Sequence, residues 1–303
     1  MAVSEGALIA NKFRGCMLGS LLGDCLGAPF EGEPRVAKIV LQNYFDKLCG
    51  PYFNAPVKQY TDDTAMTKSV AESLLSQNGF DALDMARRFV KEYFQQPRRG
   101  YGANVATVFA KLRNSRFSDV YAPAQEQFGG MGSYGNGGAM RVAPVALYYH
   151  GQSLSDCLAV DQCLRLSSKE PLDCNAFLDG LSAKMSHIEK DDEGLGLQKV
   201  DPYQQALNVA KTMLKEPQVL DDQIEEYLGI DISALRSTDD PLRRTLQYAI
   251  SLGGDTDTIA SMAGALAGAY VGSDNINQSV LKHCEASREM SELGDKLYDV
   301  IKT

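Results

Sequence analysis

Glycine recurs every fourth residue from Gly15 through Gly19 and Gly23 to Gly27, inside a stretch, Phe13 to Leu26, whose Met17, Leu18, Leu21, Leu22 and Cys25 form one broad apolar face. In a helix, residues four apart share a side, and glycine there costs about 1 kcal/mol each relative to alanine. Such a ridge requires that another backbone, or a ligand, come very near it. A second ridge, Ala260, Gly264, Gly268 and Gly272, stands near the other end of the chain. The two are expected to be helices that touch in the core and bring the ends of the chain together. Similar spacing joins helices in membranes. Here the apolar run Ile259 to Gly272 is only 14 residues and is closed by Asp257 and Asp274, short of the ~20 that a spanning helix needs.

Further helical patterns cover Met66, Val70 and Leu74 with Ala71 and Leu75, then Phe80 to Phe94, Tyr203 to Leu214, and Leu242 to Leu252. No comparable run of alternating β-branched residues occurs, so the expected class is all-α. Turn chemistry places loops at Gly50 to Pro56, Pro97 to Gly102, Gly129 to Gly138 and Glu189 to Pro202. The stretch from about Ser168 to Asp240 is more polar and weakly patterned.

Charge narrows the function classes. The 303 residues carry 30 Lys plus Arg against 39 Asp plus Glu, a net charge of −9, which gives no polybasic surface for DNA or anionic lipid. The seven cysteines are odd in number and lack any Cys-x-x-Cys spacing, which disfavours a disulfide framework or structural zinc. Met1 to Cys16 has charges at Glu5, Lys12 and Arg14 and no sustained apolar core, so no secretory signal is read there. Nucleus and cytoplasm are the expected compartments.

Two acidic runs, Thr61-Asp62-Asp63-Thr64 and Asp255-Thr256-Asp257-Thr258, each lead into a helical pattern. One such run reads well as a helix cap, because Asp and Thr accept from free amides and suit the positive end of the dipole. Two of them, each richer in oxygens than a cap needs, point to hard-cation ligation, since Mg²⁺ takes oxygen donors and keeps positions open for water and substrate. Asp-Thr-Asp-Thr also resembles the nucleophile loop of haloacid-dehalogenase-type phosphatases. That loop should follow a buried strand, whereas this one follows Ile250-Ser251-Leu252-Gly253-Gly254 in a helical context.

Gly130, Gly132 and Gly135 formally satisfy a dinucleotide fingerprint, but no strand precedes them. Phe128 to Gly138 reads instead as a loop whose amides, with Ser133 and Asn136, approach phosphates, while Phe128 or Tyr134 offers a stacking face. The pair Arg98-Arg99 reads as a solvated surface feature. Glu31 lies beyond the first helix among glycine and proline and can swing. His150, His187 and His283 pair with no nucleophile, so a triad mechanism has no support.

Taken in order, Gly23-Asp24-x-x-Gly27, Tyr60-Thr-Asp-Asp-Thr64, Gly100-Tyr-Gly102, Gly132-Ser-Tyr-Gly-Asn-Gly-Gly138 and Gly253-Gly-Asp-Thr-Asp-Thr258 resemble the ADP-ribosylhydrolase family, and the flanks look most like its serine-specific branch. The resemblance implies a single compact all-α domain over residues 12–303 behind a flexible 1–11, with two Mg²⁺ ions at the base of an ADP-ribose cleft. It implies metal ligation by Glu31, Thr61, Asp62, Asp63, Asp255, Asp257 and Thr258, and substrate binding by Gly100, Gly102, Phe128, Ser133, Tyr134, Gly135 and Asn136. Glu31, Asp62 and Asp63 would be catalytic, Glu31 as acid/base. The implied substrates are ADP-ribosylated proteins, at serine, and poly(ADP-ribose), acted on by a monomer with no DNA or membrane partner; a mitochondrial pool is implied as well. Two segments of the family pattern have no counterpart between His150 and Pro241, leaving about 151–240 diverged or shortened. An impaired ADP-ribose-binding or crystallin-like relative, and an arginine-specific hydrolase, remain the alternatives.

Overall fold

The computed structural model describes residues 5–50, 54–130, 135–151, 160, 163–164, 173–193, 208, 211 and 240–302. Among them every regular element is a helix, and the β content is one isolated bridge between Lys58 and Cys284. The chain starts with α1 (Glu5–Gly27) and a 3-10 turn (Ala28–Phe30), then α2 (Lys38–Cys49), α3 (Asp62–Gln77), α4 (Ala82–Gln95) and α5 (Ala103–Asn114). Two short helices, α6 (Ala122–Gln125) and α7 (Ala143–Tyr148), precede α8 (Cys174–Glu193). The described elements continue with α9 (Pro241–Ser251), α10 (Thr256–Val271), α11 (Gln278–Leu281) and α12 (Ser287–Ile301). The architecture is the expected all-α one.

The glycine ridges meet. Gly15 faces Gly268 and Gly272, Gly19 faces Gly264, Gly23 faces Ala260, and Gly27 faces Thr256, so α1 and α10 run antiparallel. A methyl added at Gly19 or Gly23 would overlap the carbonyl of Gly264 or Ala260. The dispersion gained along two backbones at this separation offsets the entropic cost of the glycines. Polar groups stitch the seam: the Ser20 and Ser261 hydroxyls lie 2.9 Å apart, and Thr256 Oγ1 donates to the Gly27 carbonyl over 2.9 Å. On another side of α1, Gly294 of α12 meets the Arg14 backbone, and Phe13 packs edge-on against Tyr298. With neighbours on several sides, α1 buries Phe13, Met17, Leu21, Leu22 and Leu26, as a central helix must.

Boundaries shift where local chemistry intervenes. α1 starts at Glu5, so no break in the helix marks residue 12. The helix expected from Phe80 starts at Ala82, because the Asp81 carboxylate caps it by accepting from the Asp84 amide over 2.8 Å and leaves Phe80 exposed. α8 runs on to Glu193, into the expected loop at 189–202. The pattern at Tyr203 to Leu214 lies outside the described residues except at Asn208 and Lys211, both helical. The antiparallel register of the glycine seam sets the C-terminal end of α1 beside the first turn of α10, so Asp24 and the 3-10 turn after α1 come close to the second acidic run.

Candidate active site

Asp24, fully buried near the end of α1, fixes the start of α3. Its carboxylate accepts from the Thr61 amide over 3.0 Å, from the Thr64 amide over 3.0 Å and from the Thr64 hydroxyl over 2.5 Å. Burial pushes its pKa up, and those donors pull it back. Thr61 caps α3, its Oγ1 accepting from the Asp63 amide over 3.3 Å. The Asp62 amide donates to the Arg99 carbonyl over 2.6 Å. Arg99 is not the solvated residue expected: its guanidinium grips the Glu285 carboxylate at 2.7 and 2.9 Å and lies over the Tyr60 ring.

Backbone interlock positions the other carboxylates. The Gly32 amide donates to the Gly254 carbonyl over 2.9 Å, the Gly254 amide to the Glu33 carbonyl over 2.7 Å, and Gly253 lies so close to Pro34 that no side chain fits. The Glu31 loop is thereby fastened to the start of α10. Carboxylate oxygens of Glu31, Asp255 and Asp257 lie within 4.8 Å of one another. Thr258 Oγ1 then reaches across to α3, donating to Asp63 Oδ1 over 3.1 Å.

The electrostatics are those of crowded acids. Burial raises the Asp63 carboxyl to about 9, with the charges of Asp24, Asp257 and Asp62 adding to the effect. Burial also lifts Asp62 to about 6 and Asp257 to about 8, the latter helped by its hydrogen bond to Asp255 and the charge of Glu31. Burial would raise Asp255 too, but hydrogen bonds from Asp257, Asn136 and Thr258 outweigh it and hold Asp255 below the usual carboxylate range. Asp63 Oδ2 is buried and has no hydrogen-bond partner among the described residues. Uncompensated carboxylate oxygens beside a triangle of acids suit a hard divalent cation, whose charge replaces the protons that repulsion otherwise retains.

These groups floor a cleft of about 460 Å³. Glu31, Asp62, Asp63, Asp255, Asp257 and Thr258 line it, as do Gly100, Gly102, Gly135 and Asn136. Gly100 has φ 87° and stands against Asp62, where a side chain would strain the backbone. Asn136 Nδ2 donates to Asp255 Oδ2 over 2.5 Å. Thr61 acts behind the wall as a cap. Phe128, 38% exposed, is not among the residues lining the cleft, and Ser133 and Tyr134 lie outside the described residues. Sequence reasoning assigned no role to Asp24, although the residue sits in the Gly23-Asp24 motif, and it missed Arg141, which also lines the cleft.

Comparison with known proteins bears on this arrangement. The ADP-ribosylglycohydrolase family model matches residues 5–303. The ADP-ribosylhydrolase ARH3 of Gallus gallus is 38% identical over 352 residues, covering 99% of this chain and 96% of that protein. The Homo sapiens ARH3 is 38% identical over 343 residues, with 96% and 94% covered. The ADP-ribosylarginine hydrolase Tri1 of Pseudomonas putida (strain GB-1) is 25% identical, with 95% and 78% covered. A solved ADP-ribosylglycohydrolase-related protein complex shares the fold, with a TM-score of 0.57 at 22% identity over 96% of this chain and 98% of that one. Site, fold and family match together define a glycosidase-type hydrolase. The chain belongs to the ADP-ribosylglycohydrolase family. The Gallus gallus alignment is longer than this 303-residue chain, so that relative carries stretches with no counterpart here.

Proposed function

We propose that this chain hydrolyses the O-glycosidic bond joining C1″ of ADP-ribose to serine on ADP-ribosylated proteins, and the bonds between units of poly(ADP-ribose), with two Mg²⁺ ions. Glu31, Thr61, Asp62, Asp63, Asp255, Asp257 and Thr258 would hold the ions. The observation that carries the reading is the facing of the Glu31, Asp255 and Asp257 triangle by Asp62 and the orphaned Asp63 oxygen at the floor of the cleft. Bound Mg²⁺ supplies positive charge for sugar hydroxyls and lowers the pKa of water.

Glycoside cleavage passes through an oxocarbenium-like state and needs a proton for the leaving oxygen. The C1″–O bond breaks, the hydroxyl of water joins C1″, and the serine oxygen takes up a proton. Glu31 is placed to carry that proton: it is exposed at the cleft wall, on a short loop, and its carboxylate makes no hydrogen bond to a described residue. Gly100, Gly102, Gly135 and Asn136 offer backbone amides and room for the diphosphate and ribose; on the sequence reading Ser133, Tyr134 and Phe128 would belong to the same binding set, although Phe128 does not line the cleft.

The test is release of ADP-ribose from serine-modified and arginine-modified peptides side by side, with Mg²⁺ and with chelator. Mg²⁺-dependent release from the serine peptide is expected. Arginine release alone would favour the second reading, for which the likeness to Tri1 speaks. A rise in melting temperature with free ADP-ribose but no release from either peptide would identify a binding-only relative.

A further inference from the structure

The cleft wall contains five carboxylates, Glu31, Asp62, Asp63, Asp255 and Asp257, and among the lining residues a single basic side chain, Arg141. Arg141 sits at the seam between two unlike parts of the cleft. Its guanidinium carbon lies 4.8 Å from the centroid of Phe89 on α4, where the wall turns apolar with Met85, Val105 and Phe109. The charges acting on it are those of Asp62 and Asp63, at the acidic end.

One turn delivers both Asn136 and Arg141. The Ala139 and Met140 amides donate to the Asn136 carbonyl over 2.8 and 3.2 Å, and Thr67 Oγ1 of α3 donates to the Met140 carbonyl over 3.4 Å. The turn is thus tied to α3 on one side and, through Asn136, to Asp255 on the other. Gly137 leaves the guanidinium open on its near side, since even an added methyl would stop 3.8 Å from an Arg141 nitrogen. Half-buried as it is, the Arg141 guanidinium makes no hydrogen bond or ion pair to a described residue. Arg141 thus lies against the Phe89 ring with its donor fork unused by any described residue.

We propose that Arg141 is a substrate-binding residue whose guanidinium donates to the diphosphate of ADP-ribose where that group crosses from the acidic floor to the apolar end of the cleft. The inference rests on the proposal that the cleft takes ADP-ribose. A diphosphate entering an acidic cleft meets repulsion that the fixed charge of an arginine relieves, and the planar fork matches phosphate oxygens two at a time. Glycine amides alone supply donors without net charge.

The experiment compares wild type, Arg141→Gln and Arg141→Lys by calorimetric titration with ADP-ribose in Mg²⁺, with Mg²⁺ titrations and melting curves on the same proteins. Arg141→Gln should raise the Kd for ADP-ribose tenfold or more. It should leave Mg²⁺ affinity within about twofold, whereas the tenfold loss for ADP-ribose corresponds to ~1.4 kcal/mol. Arg141→Lys, which keeps charge but loses the fork, should recover part of the affinity. On serine-modified peptide, KM should rise while kcat changes little, because a contact made equally in ground and transition states affects binding alone. An unchanged Kd in Arg141→Gln overturns the proposal, as does a loss that parallels weakened Mg²⁺ binding, which would mean Arg141 acts through Asp62 and Asp63. If Arg141→Gln melts early, the Lys variant decides: full affinity with a restored fold makes the role structural and overturns the proposal, and partial affinity with a restored fold upholds it. Failure of the wild type to bind ADP-ribose removes the reading of the site and the inference with it, an outcome distinct from a silent variant beside a binding parent.

Discussion

At the start of α3 the fastening is done by side chains. Asp24 collects two amides and a hydroxyl and Thr61 caps the first turn, with one backbone bond beside them, from the Asp62 amide to the carbonyl of Arg99, whose guanidinium is held by Glu285. At the start of α10 it is done by backbone: Gly27 lies against Thr256 and Asp257, Gly253 against Pro34, and Gly254 accepts from the Gly32 amide and donates to the Glu33 carbonyl. Asp255, at the N-cap position of α10, makes no capping bond and turns to Asn136 instead. An N-cap bond is therefore made by Thr61 and by none of the four aspartates. Side-chain fastening frees Asp62 and Asp63 from capping; backbone fastening leaves Asp255 to hold Asn136 and Asp257 to accept the neighbouring Thr258 amide.

The largest effect should come from removing ligand charge on either side. Asp62→Asn and Asp257→Asn are each expected to weaken Mg²⁺ binding by 100-fold or more, while stability falls by no more than about 1 kcal/mol, the worth of a cap. Calorimetry giving wild-type Mg²⁺ affinity for both would return the clusters to ordinary helix starts.

Next in size is the backbone side of the comparison. Gly27→Ala drives a methyl into the Thr256 carbonyl and the Asp257 backbone and should cost about 3 kcal/mol, at the upper end of overpacking penalties. Gly102→Ala, with ordinary extended φ/ψ and open space around it at the N-cap of α5, should cost no more than about 1 kcal/mol, through the poorer cap. Urea midpoints that fall equally for both would show that the close approach at α10 does not hold it.

Thr61→Ala should cost about 1 kcal/mol through its lost cap, whereas Asp255→Ala, which removes no capping bond, should stay within about 0.5 kcal/mol. The reverse order in cation-free denaturation would exchange the assignments of cap and ligand.

The smallest difference is one of pH. The Arg99 guanidinium bonded to Glu285 holds that carboxyl below its ordinary value of about 4.5. A group depressed in this way stabilises the folded state above the ordinary value and loses that contribution as pH falls through the folded one. Because Glu285 is partly exposed, the contribution is about 0.5 kcal/mol. Glu285→Gln should thus differ from wild type at pH 7 and converge with it as pH falls through the folded carboxyl's lowered value, as read from the two urea midpoints.

The acidic runs and the glycine ridges were legible because residue type alone carries their pattern: oxygens in series that meet at one cleft, hydrogens in series for a close backbone. Helix α2 was not, since Ile39 and Val40 point outward while Leu41, Phe45 and Leu48 point in, which blurs the helical period. Arg141 was invisible for a different reason. Its surroundings come from Phe89 on α4 and from Asp62 and Asp63 on α3, and no spacing in the chain announces such a meeting. Arg99 misled because a lone arginine pair has the same local text whether it faces water or a carboxylate from α12's approach, as Glu285 does.

The antiparallel glycine seam has a consequence for how the molecule comes into being. The bond between Thr258 and Asp63 closes a loop of 195 residues, and the seam that makes it possible pairs segments just as distant. Contacts of that reach form late and slowly, because the entropy of closing the loop is lost before the contact is gained. Any chain emerging with residues 1–200 alone thus holds half a cation site and an exposed furrow of glycine where α10 belongs. A cation held by both acidic runs can bind only after the two ends of the polypeptide have found each other.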